Sequence, residues 1–290
     1  MTGPRKDPRE VPPRDATRLE SDDEIRQALL ARRGARQPVL SPGPAAPQPA
    51  VLDAVLDDDP APYRPQLRPS MAMLCVLDDG KDDGEWIRLR ADRFVIGRAD
   101  GDLRIPHDPM MSGRHAEITR QQVQGGYRWQ LTDLQSTNGV YVRVGNAILK
   151  HGQELRIGRS HFRFEAPQSS AESEASAAPV PQGTISWQEQ PVRQMVAALV
   201  EVVRGGPGTR HALLQSEYWI GRGPRCGIVP ADDPFLNAQH ARVFRDARGQ
   251  WHVENNKSRN GLWARVDHIA VTSTCHFQLG EQRFLLKVLT

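Results

Sequence analysis

The sequence predicts an all-β chain: two antiparallel β-sandwich blocks, a long disordered N-terminal tail and a flexible linker. Three observations lead there. Of the 23 prolines, 13 fall in residues 1–70 and four more in 166–192, and such composition buries too little apolar surface to offset the entropy of ordering. The stretches that remain, 71–165 and 193–290, hold 95 and 98 residues, each the size of one small domain. They break into short β-favouring runs with no sustained helical period. Finally, three anchors recur in order: Ile96-Gly97-Arg98 and Ile220-Gly221-Arg222, His115-Ala116 and His240-Ala241, Asn138-Gly139 and Asn260-Gly261, at offsets of 124, 125 and 122 residues. That near-constant spacing marks an internal duplication.

Taken in chain order, the tail is low in complexity around Gln37–Ala50. Ser21-Asp22-Asp23-Glu24 has the form of a capping box ahead of Ile25, Leu29 and Leu30, which predicts a short helix over 22–33. A helix of that length is marginal alone and reads as transient. In the first block the strand runs are Met71–Leu77, Trp86–Arg90, Arg93–Gly97, His115–Thr119, Tyr127–Asp133, Val140–Val142, Glu154–Ile157 and His161–Glu165. Asp78–Gly84 has the look of a calcium loop, but its twelfth position is Leu89 rather than Glu, so it reads as a hairpin turn. Residues 166–192 form the linker, and the second block repeats the pattern. The prolines inside the blocks fall mainly between the Gly-Arg anchor and the histidine: Pro106, Pro109, Pro224, Pro230 and Pro234, where loops are expected.

Charge and cysteine usage narrow the setting. Three cysteines without a C-x-x-C pair indicate neither a disulfide framework nor a zinc ribbon. The longest apolar run, Met195–Val203, has nine residues and is interrupted by Glu201, against about 20 for a membrane span. With no signal peptide in view, the reading is a cytoplasmic protein needing no membrane, metal or cofactor. The second block carries 13 basic and eight acidic residues, yet these are interspersed, which argues against a nucleic-acid stripe.

No G-x-S-x-G, H-E-x-x-H, P-loop or kinase catalytic loop occurs, so the chain does not read as an enzyme. Ser112 and His115 alone lack an orienting carboxylate and an oxyanion hole. Binding chemistry fits better. If the runs at 115–119 and 127–133 pair as a hairpin, Ser112-Gly113-Arg114 and Ser136-Thr137-Asn138 lie at the same end of the sheet. If Arg98, at the end of its own strand, reaches that pole as well, the pole gathers a guanidinium, hydroxyls and an amide. Such donors suit a phosphate, which brings a charge of about −1.5 to −2 and three acceptor oxygens. Singly, each motif is also an ordinary surface cation or an Asn-Gly turn.

Together, Gly97-Arg98, Ser112-x-x-His115 and Leu131-Thr132-Asp133-Leu134-Gln135-Ser136-Thr137-Asn138-Gly139 resemble the forkhead-associated (FHA) domain, a phosphothreonine-recognition β-sandwich. The resemblance covers 71–165 and, with departures, 193–290. It implies that Arg98, Ser112 and Thr137 contact phosphate, that Gly113 or Arg114 adds a loop contact, and that Asn138 holds the peptide backbone. It further implies that Gly97, His115 and Gly139 support the loops. In the second block Gly221, His240 and Gly261 match the supporting positions. Arg222 and Asn260 are kept, while Asn237 and Arg259 replace the serine and threonine, giving a retuned second site or a domain that only completes the fold.

The expected function is thus a phosphopeptide-binding adaptor whose partners are phosphothreonine proteins made by an upstream Ser/Thr kinase. Thr17, one of two threonines in the first 70 residues, is a candidate for phosphorylation and folding back onto the Arg98 site, a self-inhibition known among bacterial FHA proteins. The rival readings are a structural or dimerising scaffold without phosphate dependence and a nucleic-acid scaffold using the basic second block.

Overall fold

The computed structural model describes residues 17–21, 23–25, 27, 71–124, 126–167, 195–203 and 206–288. The Gln37–Ala50 stretch, the rest of the 22–33 helix and the linker from 168 to 192 lie outside them. A two-residue strand, β1 (Arg18–Leu19), precedes the repeats. The first repeat contains β2 (Ala72–Leu77), β3 (Gly84–Leu89), β4 (Arg93–Gly97), β5 (Leu103–Arg104), β6 (Ala116–Val123), β7 (Gly126–Asp133), β8 (Val140–Ile148), β9 (Glu154–Ile157) and β10 (Ser160–Glu165). The second contains β11 (Ala198–Val203), β12 (Gly206–Ala212), β13 (Glu217–Ile220), β14 (Ala241–Arg245), β15 (Trp251–Asn255), β16 (Leu262–Val266), β17 (His268–Val271), β18 (Thr274–Leu279) and β19 (Gln282–Val288).

Alternation explains these strands locally. In β6, Ala116 and Ile118 are buried between partly exposed Glu117 and Thr119, and across the hairpin Trp129 and Leu131 of β7 face the same core. Pairing runs from Ala116↔Asp133 to Val123↔Gly126. The Asp78–Gly84 segment is a hairpin turn, with Leu77 opposite Gly84. Among the described residues, strands pair antiparallel except β4 and the unanticipated β5, whose counterpart in the second repeat is the parallel bridge Ile220↔Ile228.

The two repeats do not close on themselves. The first strand of repeat one, β2, pairs with the last strand of repeat two, β19, and β11 pairs with β10. Lobe one therefore stacks the order β3-β2-β19-β18-β8 against β5-β4-β6-β7-β17, and lobe two sets β12-β11-β10-β9-β16 against β13-β14-β15-β8. The nine-residue β8 is longer than the expected Val140–Val142 because it serves both lobes: Val140–Val144 lies against β16, while Asn146–Ile148 lies against β15.

At the centre Val142 faces Ala264, its own repeat equivalent, with Leu262↔Val144 and Val266↔Val140 to either side. This is the isologous geometry of a two-fold strand exchange, formed within one chain. Apolar burial holds it: Phe277 and Phe284, stacked at 5.0 Å, come from repeat two and share one contiguous core with Leu74 and Leu89 of repeat one. Burying one such ring contributes roughly 1.5–3 kcal/mol. Blocks 71–165 and 193–290 thus mark the repeat in sequence, and each sandwich is built from both. The linker joins neighbours rather than separate modules, since Glu165 pairs with Ala198.

Part of the tail is ordered, against the expectation of a transient helix. The capping box forms, with Ser21 N–H donating to Glu24 Oε2 at 2.9 Å and Glu24 N–H to Ser21 Oγ at 3.3 Å. Tertiary contacts supply what so short a helix lacks: β1 pairs with β8, Ile25 is buried, and the buried Glu20 carboxylate accepts from Arg143 Nε and from Asn255 Nδ2. Thr17 is exposed at the head of this segment, which is anchored to lobe two. Removing one member of a buried ion pair strands the other. Glu20→Ala is expected to lower unfolding free energy by roughly 3–5 kcal/mol in urea denaturation, with Glu20→Leu plus Arg143→Met recovering most of it.

Candidate functional site

At the end of β4 the chain turns sharply against the next loop. Arg98 N–H donates to Ser112 O at 2.9 Å, and Ala99 and Asp100 N–H both donate to Gly113 O. Gly97 permits this approach, because a Cβ there would stand 2.2 Å from Gly113 O.

His115 ties the pole together. Fully buried, it accepts from Ser112 N–H at Nδ1 (3.1 Å) and donates from Nε2 to Gly139 O (3.1 Å). This bonding fixes the neutral Nε2–H tautomer. The third loop is closed by Ser136, whose N–H donates to Asp133 Oδ1 and whose Oγ accepts from Gly139 N–H, both at 3.0 Å. Gln135 adopts φ 58° and Gly139 φ 77°, left-handed conformations that bring the loop back over His115.

These loops bring Ser112 and Thr137 together: Thr137 N–H donates to Ser112 Oγ at 3.0 Å and the two hydroxyls lie 3.5 Å apart. Arg98 is exposed beside them and, among the described residues, has no carboxylate partner. Arg114 leans instead toward Asp100 at 3.8 Å. Asn138 spends one amide hydrogen on Met110 O at 2.7 Å, and its other N–H and its carbonyl have no partner among the described residues. Gly113 faces open space.

The second pole repeats this bracing. Arg222 N–H donates to Asn237 O at 3.1 Å, Asn237 N–H to His240 Nδ1 at 3.2 Å, His240 Nε2 to Gly261 O at 3.0 Å and Asn260 Nδ2 to Phe235 O at 2.8 Å. Gly221 allows the same close turn, a Cβ there lying 2.5 Å from Ala238 O. Arg222 and Arg259 project into solvent without carboxylate partners among the described residues.

Burial lowers the pKa of both His115 and His240, outweighing the hydrogen bonds to Gly139 and Gly261. The unfolded chain takes up these protons near pH ~6.5, before the fold does. Their contribution to stability is therefore complete above that pH and lost progressively below it. The melting temperature is expected to fall between pH 7.5 and pH 5.5; an unchanged value contradicts neutral bracing imidazoles.

Sequence reading missed Asp108 and Asp233, both buried. Asp108 Oδ1 accepts from Met110 N–H, while Oδ2 accepts from Glu281 and Gln282 N–H. Asp233 likewise holds Phe235 N–H together with Arg159 and Ser160. Each pole's proline loop is thus pinned to the exchanged hairpin of the other repeat. The available signal was a fourth recurring pair, Asp108-Pro109 and Asp233-Pro234, which by itself reads as a turn.

The FHA domain family model matches residues 94–158 and 218–280. FhaB of Mycobacterium tuberculosis is 33% identical over 93 residues, covering 31% of this chain and 57% of that protein. The glycogen accumulation regulator GarA of Mycolicibacterium smegmatis is 33% identical over 113 residues, covering 38% of this chain and 68% of GarA. The chain therefore spans little more than half of FhaB. A solved structure from a study of phosphothreonine-dependent FHA domain interactions is 33% identical, covering 32% of this chain and 92% of that one at a TM-score of 0.21. The FhaA FHA domain complexed with the intracellular domain of Rv3910 is 36% identical, with 31% and 94% coverage and a TM-score of 0.21.

Proposed function

This chain belongs to the FHA domain family, and on that premise we propose that it is a phosphopeptide-binding adaptor rather than an enzyme. The Arg98 pole takes a phosphothreonine made by an upstream Ser/Thr kinase. One observation carries the reading: exposed Arg98, without a carboxylate partner among the described residues, is tied through its backbone to Ser112, whose hydroxyl lies 3.5 Å from that of Thr137, on loops braced by a buried neutral histidine. Phosphate oxygens satisfy those donors with charge-assisted bonds that an unmodified threonine hydroxyl does not provide. Ser112, Thr137 and Arg98 meet the phosphate, Arg114 and Gly113 border it, and the other half of the Asn138 amide meets the peptide backbone. Three free cysteines suit the reducing cytoplasm, where such a kinase acts.

Titrating the full chain with one peptide in threonine and phosphothreonine forms tests the reading. Saturable binding of the phosphorylated form alone is expected. Equal affinity for both forms refutes it in favour of a structural scaffold, and displacement by DNA with steep salt dependence refutes it in favour of a nucleic-acid scaffold.

A further inference from the structure

The Arg222 pole opens into a cleft of about 740 Å³ whose walls come from both repeats. Arg222 and Arg259 enter it from the second-repeat loops, Arg143 and Arg156 from β8 and β9, and Arg283 from β19. Arg143 has its charge matched by Glu20. Arg156 lies over the Tyr141 ring at 4.1 Å and Arg283 over Trp263 at 5.0 Å, stacking contacts that orient a guanidinium without neutralising it. Among the described residues, Arg156, Arg222, Arg259 and Arg283 have no carboxylate within ion-pair distance. Solvent reaches Arg283 through the cleft, but enclosure on its other sides, followed by the like charges of Arg143 and Arg156, depresses its pKa.

Among the described residues, the matching positions of the other half do not repeat this cluster. At the matching positions Arg259 becomes Thr137, Arg156 becomes Gln278 and Arg283 becomes His161. The counterpart of Arg143 is Arg265, paired with Glu154 at 3.1 Å. A single phosphate at the Arg222 and Arg259 loops brings a charge of about −1.5 to −2, which balances those two guanidinium groups and leaves Arg156 and Arg283, on β9 and β19, without a carboxylate partner among the described residues. The cleft also presents Phe235, 54% exposed, and the Asn260 amide that parallels Asn138. An apolar contact and a backbone-reading amide call for a peptide rather than a bare anion.

We infer that this inter-lobe cleft binds a peptide carrying two phosphates on nearby residues, one at the Arg222 and Arg259 loops and the second at Arg156 and Arg283. The inference rests on a phosphate reading of the second-repeat loops and is independent of the Arg98 site. The carboxylates that also line the cleft, Asp79 and Asp82 on the β2–β3 hairpin, Asp78 paired there with Lys81, and Glu281 at the β18–β19 turn, repel such a ligand and set its affinity.

The test uses the full chain carrying Arg98→Ala, which weakens the first pole, with one peptide in unphosphorylated, singly and doubly phosphothreonine forms and with inorganic pyrophosphate. The doubly phosphorylated form is expected to bind at least about tenfold more tightly than the singly phosphorylated one. Arg156→Gln and Arg259→Ala should each erase most of that preference. Asp79→Asn with Asp82→Asn should raise affinity several-fold, a gain that misfolding does not imitate. Equal binding of the two phosphorylated forms, or binding of neither, overturns the inference and leaves the first-pole reading standing. Pyrophosphate competing as well as the doubly phosphorylated peptide also overturns it, because the cleft is then a site for small anions.

Discussion

Arg98→Ala in the full chain is expected to weaken phosphothreonine-peptide binding at the first pole roughly ten- to hundredfold, with an unchanged melting temperature. The magnitude follows from charge-assisted hydrogen bonds worth on the order of 1.5–3 kcal/mol each. The unchanged stability follows from exposure: the Arg98 side chain supports no described contact, and its backbone N–H, which donates to Ser112 O, is kept by alanine. Thr137→Val and Ser112→Ala remove neutral donors and should cost less than Arg98→Ala. Arg114→Ala should cost least, because that guanidinium already leans on Asp100. Isothermal titration with phosphorylated and unphosphorylated peptide reads all four variants. A loss of affinity that tracks a loss of melting temperature assigns these residues to the fold instead of the ligand.

What was legible in the sequence follows from how local its cause is. The β6–β7 hairpin is written in the alternation of Ala116, Ile118, Trp129 and Leu131 and in the turn residues between them. The convergence of Ser112 and Thr137 then follows from that single pairing. The buried histidines were found because each recurs at nearly the same distance from its Gly-Arg anchor, 18 residues after Gly97 and 19 after Gly221. The strand exchange has no such signature. Repeat equivalents carry nearly the same apolar pattern, so β2 is satisfied by β19 as well as by β10, and a 27-residue linker spans either arrangement. The cationic cleft was hidden for the same reason: Arg156 and Arg259 stand 103 positions apart and meet through the exchange. The docked tail was missed because the marginality of an isolated helix says nothing about a buried partner such as Arg143.

Leu285→Cys in the full chain is expected to form a disulfide with native Cys75, joining the two repeats covalently. Leu285 and Cys75 are directly opposite on β19 and β2 and share a small buried cluster with Leu77. Facing residues of antiparallel strands lie about 4.5–5.5 Å apart at Cα, within the span a disulfide requires. Burial, with Asp83 and Asp78 nearby, pushes the Cys75 thiol up to about 11, so a disulfide reagent at alkaline pH is needed. With a protease site placed between 168 and 194 and cleaved, the halves should stay joined in a denaturing gel without reductant and separate when reduced. If each repeat closed on itself, Arg163, the repeat equivalent of Leu285, would face Cys75 instead. Arg163→Cys is therefore the opposing control and should give no cross-link. The outcome decides how the two poles cooperate. Modules on a flexible linker gain from effective concentration set by linker length, whereas exchanged lobes hold both poles at a fixed separation. A cross-linked, cleaved protein that keeps full phosphopeptide affinity places that cooperation in the exchanged strands, because Asp108 anchors the first pole's loop to the β18–β19 turn that the disulfide retains.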